Sequence, residues 1–494
     1  MSTINIKINS YKLAALLAVS LLIPSLLIAA TDEIFKAVAP VELTKKKTWN
    51  FIVYMAANNN LHSYAIKNLN QMMTVGSNDS INIIAQIDGL QNNKIKRYYV
   101  KKGELITIAE NDTESSEVLP SGTPESLYNL SSWTMQNFPA DHQALVLWNH
   151  GSGIKDPSMW GRSLWNNRDK LFSINYDTGR LIIDRSLFPD VELSGEELAV
   201  VRELNDRGIA FNEATRTYIT NQELRKTLEQ IQQNVLGGKK IDVVCFDACH
   251  MGMVELAAKL QATVSFMAGS AEVEPGSGYN YATFLKNCTT STTPKDFVQN
   301  VVKAYDYEYN SVYAELTQIA LDLGLFSKTQ DLWKSISTQL TLCINEVNGQ
   351  TKNKSFAAIL KNLRTTPAAT TEYSDADYID AQHFLESLIE KTAMLCSPSS
   401  GYSITDQKKL LSLKDTTVAL HVALRKSIVE QSCGSALLQS CGLGLYFPKR
   451  YIHASYKKTT FDKETGWSLF LQKHLDKTRL LNAQHNREEE SLTS

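Results

Sequence analysis

The chain lacks an excess of either charge: 50 Lys and Arg stand against 52 Asp and Glu in 494 residues, a formal net charge of -2. That balance excludes a general field able to draw the protein onto nucleic acid or anionic lipid, so any partner must be argued from a site. Cysteine is scarce as well. Its 7 residues are too few for a disulfide scaffold at this length, and the odd number leaves at least one thiol unpaired in an oxidising compartment. Cys433 and Cys441 are near enough in sequence to pair, whereas Cys245 lies inside an apolar run and reads as a small core residue. Beyond residue 30 no stretch is long and apolar enough to cross a bilayer, and there is no internal repeat or low-complexity tract.

The one long apolar run is at the amino end, where Lys7 and Lys12 precede Leu13 to Ala30. Ending in Ile28-Ala29-Ala30, it reads as a secretory signal cut near Ala30, with an uncleaved anchor as the alternative. Export to a periplasmic, cell-surface or secreted location is expected, with membrane contact only through this segment if it is retained. A monomer is expected.

From Trp49 onward, apolar strands alternate with amphipathic helical stretches, the pattern of a mostly parallel sheet covered by helices. Strands are expected at Phe51–Met55, Ile81–Ile87, Ala144–Trp148, Ile241–Phe246 and Val264–Ala268, with a hairpin edge over Lys94–Val100 and Leu105–Ala109. Residues 47–310 form the first unit on this reading. After residue 310 longer helical stretches dominate, so a smaller carboxy-terminal domain is expected over 311–475, followed by a frayed polar tail at 482–494. The interval 155–208 is too long for an ordinary connection and carries Lys155, Arg162, Arg168, Lys170, Arg180, Arg185, Arg202 and Arg207, many basic bonds for a protease.

Sites in such sheets form beyond the carboxyl ends of the strands. Two of those ends carry reactive groups: Asn149-His150-Gly151-Ser152-Gly153 and Asp247-Ala248-Cys249-His250-Met251-Gly252. A thiol at the start of a helix is acidified by the amides there, and Met253–Leu260 reads as a helix directly after Cys249. His150 is suited to move protons near neutral pH. The amides of Gly151 and Cys249 are the candidates to stabilise an oxyanion. A thiol-redox or metal site on Cys245, Cys249 and His250 fits worse, because three residues separate the cysteines where redox pairs use two.

Leu147-Trp148-Asn149-His150-Gly151-Ser152-Gly153 and Phe246-Asp247-Ala248-Cys249 together resemble the catalytic blocks of the clostripain family of cysteine peptidases. Trp49–Leu61, Glu272–Tyr279 and Gly442–Pro448 resemble further blocks of that family in the same order, so the resemblance spans roughly Trp49 to Phe470. It implies a caspase-like α/β/α sandwich with a carboxy-terminal domain, and a cysteine endopeptidase working through a His150/Cys249 dyad and a thioester acyl-enzyme. It further implies cleavage after Arg or Lys, and activation by self-cleavage between the two blocks. Asp247 matches the family's acidic residue two before the nucleophile; Glu272 and Glu274 are further candidates for holding a basic side chain, which needs a carboxylate partner when buried. Alternative roles are a helix cap for Asp247 and solvated loop positions for the two glutamates.

The interval between the blocks is longer than the family pattern, Asn212 stands where an aspartate is expected, and Asn280 is neutral in a pocket-forming stretch. No cofactor is required by this chemistry. No ordered run of carboxylates resembles a calcium loop, which leaves calcium dependence open. The competing readings are a peptidase with a non-basic preference and a binding protein that has kept the fold without the activity.

Overall fold

Phe51–Met55 is buried on both faces, as an interior strand of a parallel sheet must be. The computed structural model describes residues 45–89, 95–110, 119–156, 172–174, 181–183, 208–215, 217–348, 355–366 and 368–493. Its main sheet contains β1 Lys47–Met55, β2 Ile81–Asp88, β3 Ile95–Lys101, β4 Glu104–Glu110, β5 Ala140–Trp148, β6 Ile241–Asp247, β7 Val264–Gly269, β8 Thr317–Asp322 and β9 Ile428–Cys433. Across the sheet the order is β9-β8-β7-β6-β5-β1-β2-β3-β4. The five inner strands from β7 to β2 run parallel, and two antiparallel strands close each edge.

Side chains alternate between two cores, the period-two pattern of a strand. Phe51, Val53 and Met55 join Ala144, Val146, Val243 and Cys245 on one face. Ile52 and Tyr54 join Leu145, Leu147, Val244 and Phe246 on the other. Helices His62–Val75, Tyr281–Lys286 and Pro294–Tyr309 cover the first face. Pro124–Asn137, Asn221–Asn234, Val254–Leu260 and helices from the carboxy-terminal half cover the second. The result is the caspase-like α/β/α sandwich.

The hairpin forms the β3/β4 edge, but Arg97 on it is fully buried. Its guanidinium bonds Gln86 and Asn129 and lies 4.5 Å from the Trp133 ring centroid. The chain beyond residue 310, expected as a unit of its own, sends β8 and β9 into this same sheet. Each is a six-residue antiparallel strand without the long apolar run that marks the inner strands. Gly444–Tyr446 pairs separately with Tyr378–Asp380. The last helix, Trp467–Thr493, runs on through the stretch expected as a frayed tail. All seven cysteines are free, Cys433 and Cys441 included. Residues 1–30 and most of the 155–208 interval lie outside the described residues; among those described, no helix is long and apolar enough to cross a membrane.

Glu255 joins the two halves of the chain. Its Oε1 accepts from the Tyr446 amide and the Tyr456 hydroxyl, both at 3.0 Å, while Oε2 is buried without a donor. Burial pushes its carboxyl from an ordinary 4.5 up to about 7. The unfolded chain releases this proton first, so the fold loses stability as pH rises through that window, by about 3 kcal/mol in all. Glu255→Gln keeps the accepting oxygen and removes the titration. Urea unfolding at pH 4.5 and 8 should therefore show wild type losing about 3 kcal/mol more than the variant; equal losses would contradict the buried-carboxyl assignment.

Candidate active site

β5 and β6 are parallel neighbours with Leu147 opposite Phe246 and Trp148 opposite Asp247. The Asn149 amide continues the ladder to the Asp247 carbonyl at 3.2 Å. His150 and Cys249 each follow the last aligned pair by two residues, so the two reactive groups leave the sheet side by side. A Cβ on Gly151 would stand 2.3 Å from the Cys249 carbonyl oxygen and 3.2 Å from the Ala248 Cβ. The His loop and the Cys loop are thus in backbone contact.

Asparagine amides hold the His loop. Asn149 accepts from the His150 amide at 2.5 Å and donates to the carbonyls of Ala56 and Phe211. Asn59 donates to the same two carbonyls at 2.8 and 3.1 Å. His150 Nε2 lies 2.8 Å from Asn60 Oδ1. Gly151 forms a bridge to Ile209, and Tyr378 donates its hydroxyl to the Ser152 carbonyl at 2.7 Å. The sequence Ala56-Ala57-Asn58-Asn59-Asn60 by itself reads as a turn into the following helix; its placement just beyond β1, adjacent to β5, is the signal that it borders the site.

Cys249 is half-buried, and its Sγ accepts from the Glu274 amide at 3.3 Å. The helix after it begins at Val254, with Met253 in extended conformation ahead of it. Cys249 therefore misses the first turn, and the acidified thiol expected from a helix start is not what forms. Burial pushes the thiol up to about 12, assisted by the charge of Glu274, while the Glu274 amide pulls it the other way. His250, at φ +60°, acts as a brace: its Nδ1 meets the Ala271 carbonyl at 2.9 Å. Cys245 is buried among the first-face core residues, and among the described residues no group of His, Cys, Asp and Glu is placed to hold a metal ion.

All three acidic candidates are buried. Asp247 accepts from the Tyr279 amide at 3.1 Å and the Tyr281 hydroxyl at 2.7 Å, so it does not cap the helix ahead. Burial pushes its carboxyl up to about 6. Glu272 accepts from the amides of Val273 and Ser374, each at 2.8 Å. Glu274 Oε1 accepts from Gln318 at 3.1 Å, and Oε2 is buried with no donor. Burial, then the charge of Asp247, holds the Glu274 carboxyl well above the usual range. The glutamates are not solvated, because β8 closes over them: Thr317 Oγ1 accepts from the amides of Ala271 and Glu272 at 3.0 Å.

Asn212 suits its position as an amide. It donates to buried Asp88 at 2.7 Å, where an aspartate would oppose a second carboxylate. Asn280 caps the helix Tyr281–Lys286 and donates to Glu308 at 2.7 Å. Lys155, the first basic residue of the long interval, is ion-paired with Asp375 at 2.8 Å and Asp377 at 3.0 Å.

The profile of the clostripain family matches residues 53–171 and 195–469. The chain belongs to the clostripain family. It is a cysteine endopeptidase on that footing. Solved structures of similar fold include a secreted C11 cysteine protease from Bacteroides thetaiotaomicron, "iotapain", with TM-score 0.55 and 13% identity over 85% of this chain and 99% of that one. The Bacteroides thetaiotaomicron protease bound to an irreversible peptide inhibitor is similar at TM-score 0.50 and 13% identity, over 86% of this chain and 99% of that one. An inactive zymogen C11 protease from Parabacteroides distasonis is similar at TM-score 0.50 and 13% identity, over 85% of this chain and 98% of that one. No curated protein sequence matches this chain.

The backbone contact between the two clostripain-type loops gives a direct test. A methyl group at Gly151 must displace the Cys249 peptide, so Gly151→Ala should cost about 1–3 kcal/mol and lower peptidase activity at the same time. Thermal unfolding and a peptide assay on the same sample check it; unchanged values for both would rule out the contact.

Proposed function

We propose that His150 and Cys249 are the catalytic dyad of an exported endopeptidase that cuts after Arg or Lys. The observation that carries this reading is the alignment of the two residues beyond the β5/β6 pair. Burial pushes the Cys249 thiol up, so in this reading the nucleophile arises as His150 takes the Cys249 proton during attack. Sulfur then bonds to the scissile carbonyl carbon, and the amides of Gly151 and Cys249 receive the developing oxyanion. His150 returns the proton to the leaving amine as the C–N bond breaks, which leaves a thioester. A water that gives its proton to His150 attacks that thioester, and the thiolate leaves and is reprotonated. Every proton and electron pair is accounted for without a cofactor.

The acid group behind Cys249 supports a basic preference, since a guanidinium or ammonium needs a carboxylate in a dry pocket. Asp247 and Glu272 each have both oxygens engaged by donors. Glu274, whose carboxyl is hydrogen-bonded to Asp247, has no donor on Oε2 and is the favoured acceptor, a basic side chain taking the place of the proton held there. Its raised carboxyl ionises as pH rises, so binding of a basic side chain strengthens in the alkaline direction. On fluorogenic peptides, Cys249→Ala should abolish cleavage. Glu274→Gln should lower kcat/KM for Arg and Lys substrates about 10-fold or more while leaving the fold intact. Wild-type kcat/KM for neutral peptides at or above that for Arg and Lys peptides would replace the basic preference with a non-basic one.

A relative of the same fold is described as an inactive zymogen, and the basic interval here fits activation by self-cleavage. Of the basic residues from Lys155 to Arg216, Lys155 is a less favoured cut because it is held in ion pairs with Asp375 and Asp377. The cut is assigned to a basic residue between Arg162 and Arg216. Intact-mass analysis should find wild type divided there and Cys249→Ala whole; an active, undivided wild type contradicts it. Export rests on residues 1–30 and on relatives described as secreted.

A further inference from the structure

We infer that Asn60 is the positioning residue of the catalytic histidine, fixing which ring nitrogen carries the proton. The inference rests on the dyad reading above and goes beyond it, since a two-residue dyad leaves the imidazole without an orienting partner. Asn60 Oδ1 lies 2.8 Å from His150 Nε2. A carbonyl oxygen can only accept, so Nε2 carries hydrogen and the proton-accepting lone pair is on Nδ1. When His150 takes up the thiol proton, Nε2–H still points at the same oxygen, and the ring need not turn between the two protonation states.

The surroundings show that Asn60 is committed to this task. It lies two residues before the helix His62–Val75, where an asparagine ordinarily caps the free amides; yet the residue in the cap position, Leu61, offers no side-chain bond. The adjacent Asn59 spends its oxygen on the Leu61 amide at 2.9 Å and its nitrogen on the carbonyls of Ala56 and Phe211. This pins the backbone on either side of Asn60. Asn149 reaches the same two carbonyls from the His loop. The donor and acceptor of the Asn60–His150 bond therefore hang from one shared frame, and the bond length is set by that frame rather than by a loose side chain.

Among the described residues, titratable groups on the segments round this bond include Cys249 and His250 on the nucleophile loop, His62 beyond Asn60, and Glu213, whose amide donates to the Asn58 carbonyl at 2.9 Å. Asn60→Asp adds a carboxylate at hydrogen-bond distance from Nε2.

The test is a pH–rate series on one cleavable peptide with wild type, Asn60→Ala, Asn60→Asp, Cys249→Ala and His150→Ala. Removal of the acceptor in Asn60→Ala should lower kcat about 10- to 100-fold with KM within about 2-fold. Asn60→Asp should retain activity and move the acid limb of kcat/KM upward by about one pH unit, because a carboxylate favours the imidazolium. A purely structural Asn60 would not move that limb. If Asn60→Ala is unstable, Asn60→Asp decides alone: a displaced acid limb supports the inference and an unmoved one overturns it. Loss of activity in Cys249→Ala and His150→Ala, with wild-type kcat and pH profile in both Asn60 variants, overturns the positioning role and leaves the dyad standing. Activity in Cys249→Ala or His150→Ala overturns the dyad itself.

Discussion

The parallel pairing of Ala140–Trp148 with Ile241–Asp247 is the contact from which the site follows. Roughly a hundred residues separate these strands, and only their register decides whether imidazole and thiol leave the sheet together. The register is strongly specified. Each strand buries one set of side chains in either core, and a one-residue slip would exchange Leu145 and Leu147 for Ala144 and Val146 on every face. Packing on both sides of the sheet is therefore what brings the loops of His150 and Cys249 to neighbouring strand ends.

Around that junction burial governs the charge. The Cys249 thiol and the Asp247 and Glu274 carboxyls are all pushed toward their neutral forms, each chiefly because water is excluded. A resting site of this kind stores protons rather than charges. If Glu274 holds a basic side chain as proposed, a cationic group entering beside it offsets the cost of ionising it.

The inner strands and the two reactive tips were legible because each is a local signal: an apolar run ended by His-Gly or by Asp-Ala-Cys. The less legible features depend on distant partners. β8 and β9 are six-residue strands, the second at the sheet's edge, whose identity comes from the sheet they complete. Glu272 and Glu274 read as loop acids until Thr317, Gln318 and Ser374 close over them from the other half of the chain. The Cys249 thiol departs from its local signal too, since four residues separate it from Val254 and burial outweighs a helix that begins so late. Asn60 looked like turn chemistry, and only the placement of β1 beside β5 gives it a histidine to meet.

Ser152 fastens both borders of the long interval. Its hydroxyl donates to the Lys155 carbonyl at 2.8 Å and accepts from the Gly208 amide at 2.9 Å, while Asp156 receives the Asn221 amide at 2.8 Å. β5 precedes the interval and β6 follows it, yet they are hydrogen-bonded to each other. A chain severed anywhere from 157 to 207 would consequently remain a single particle: two polypeptides sharing one sheet, with the entropy of the tether released and the reactive pair still clasped between the pieces.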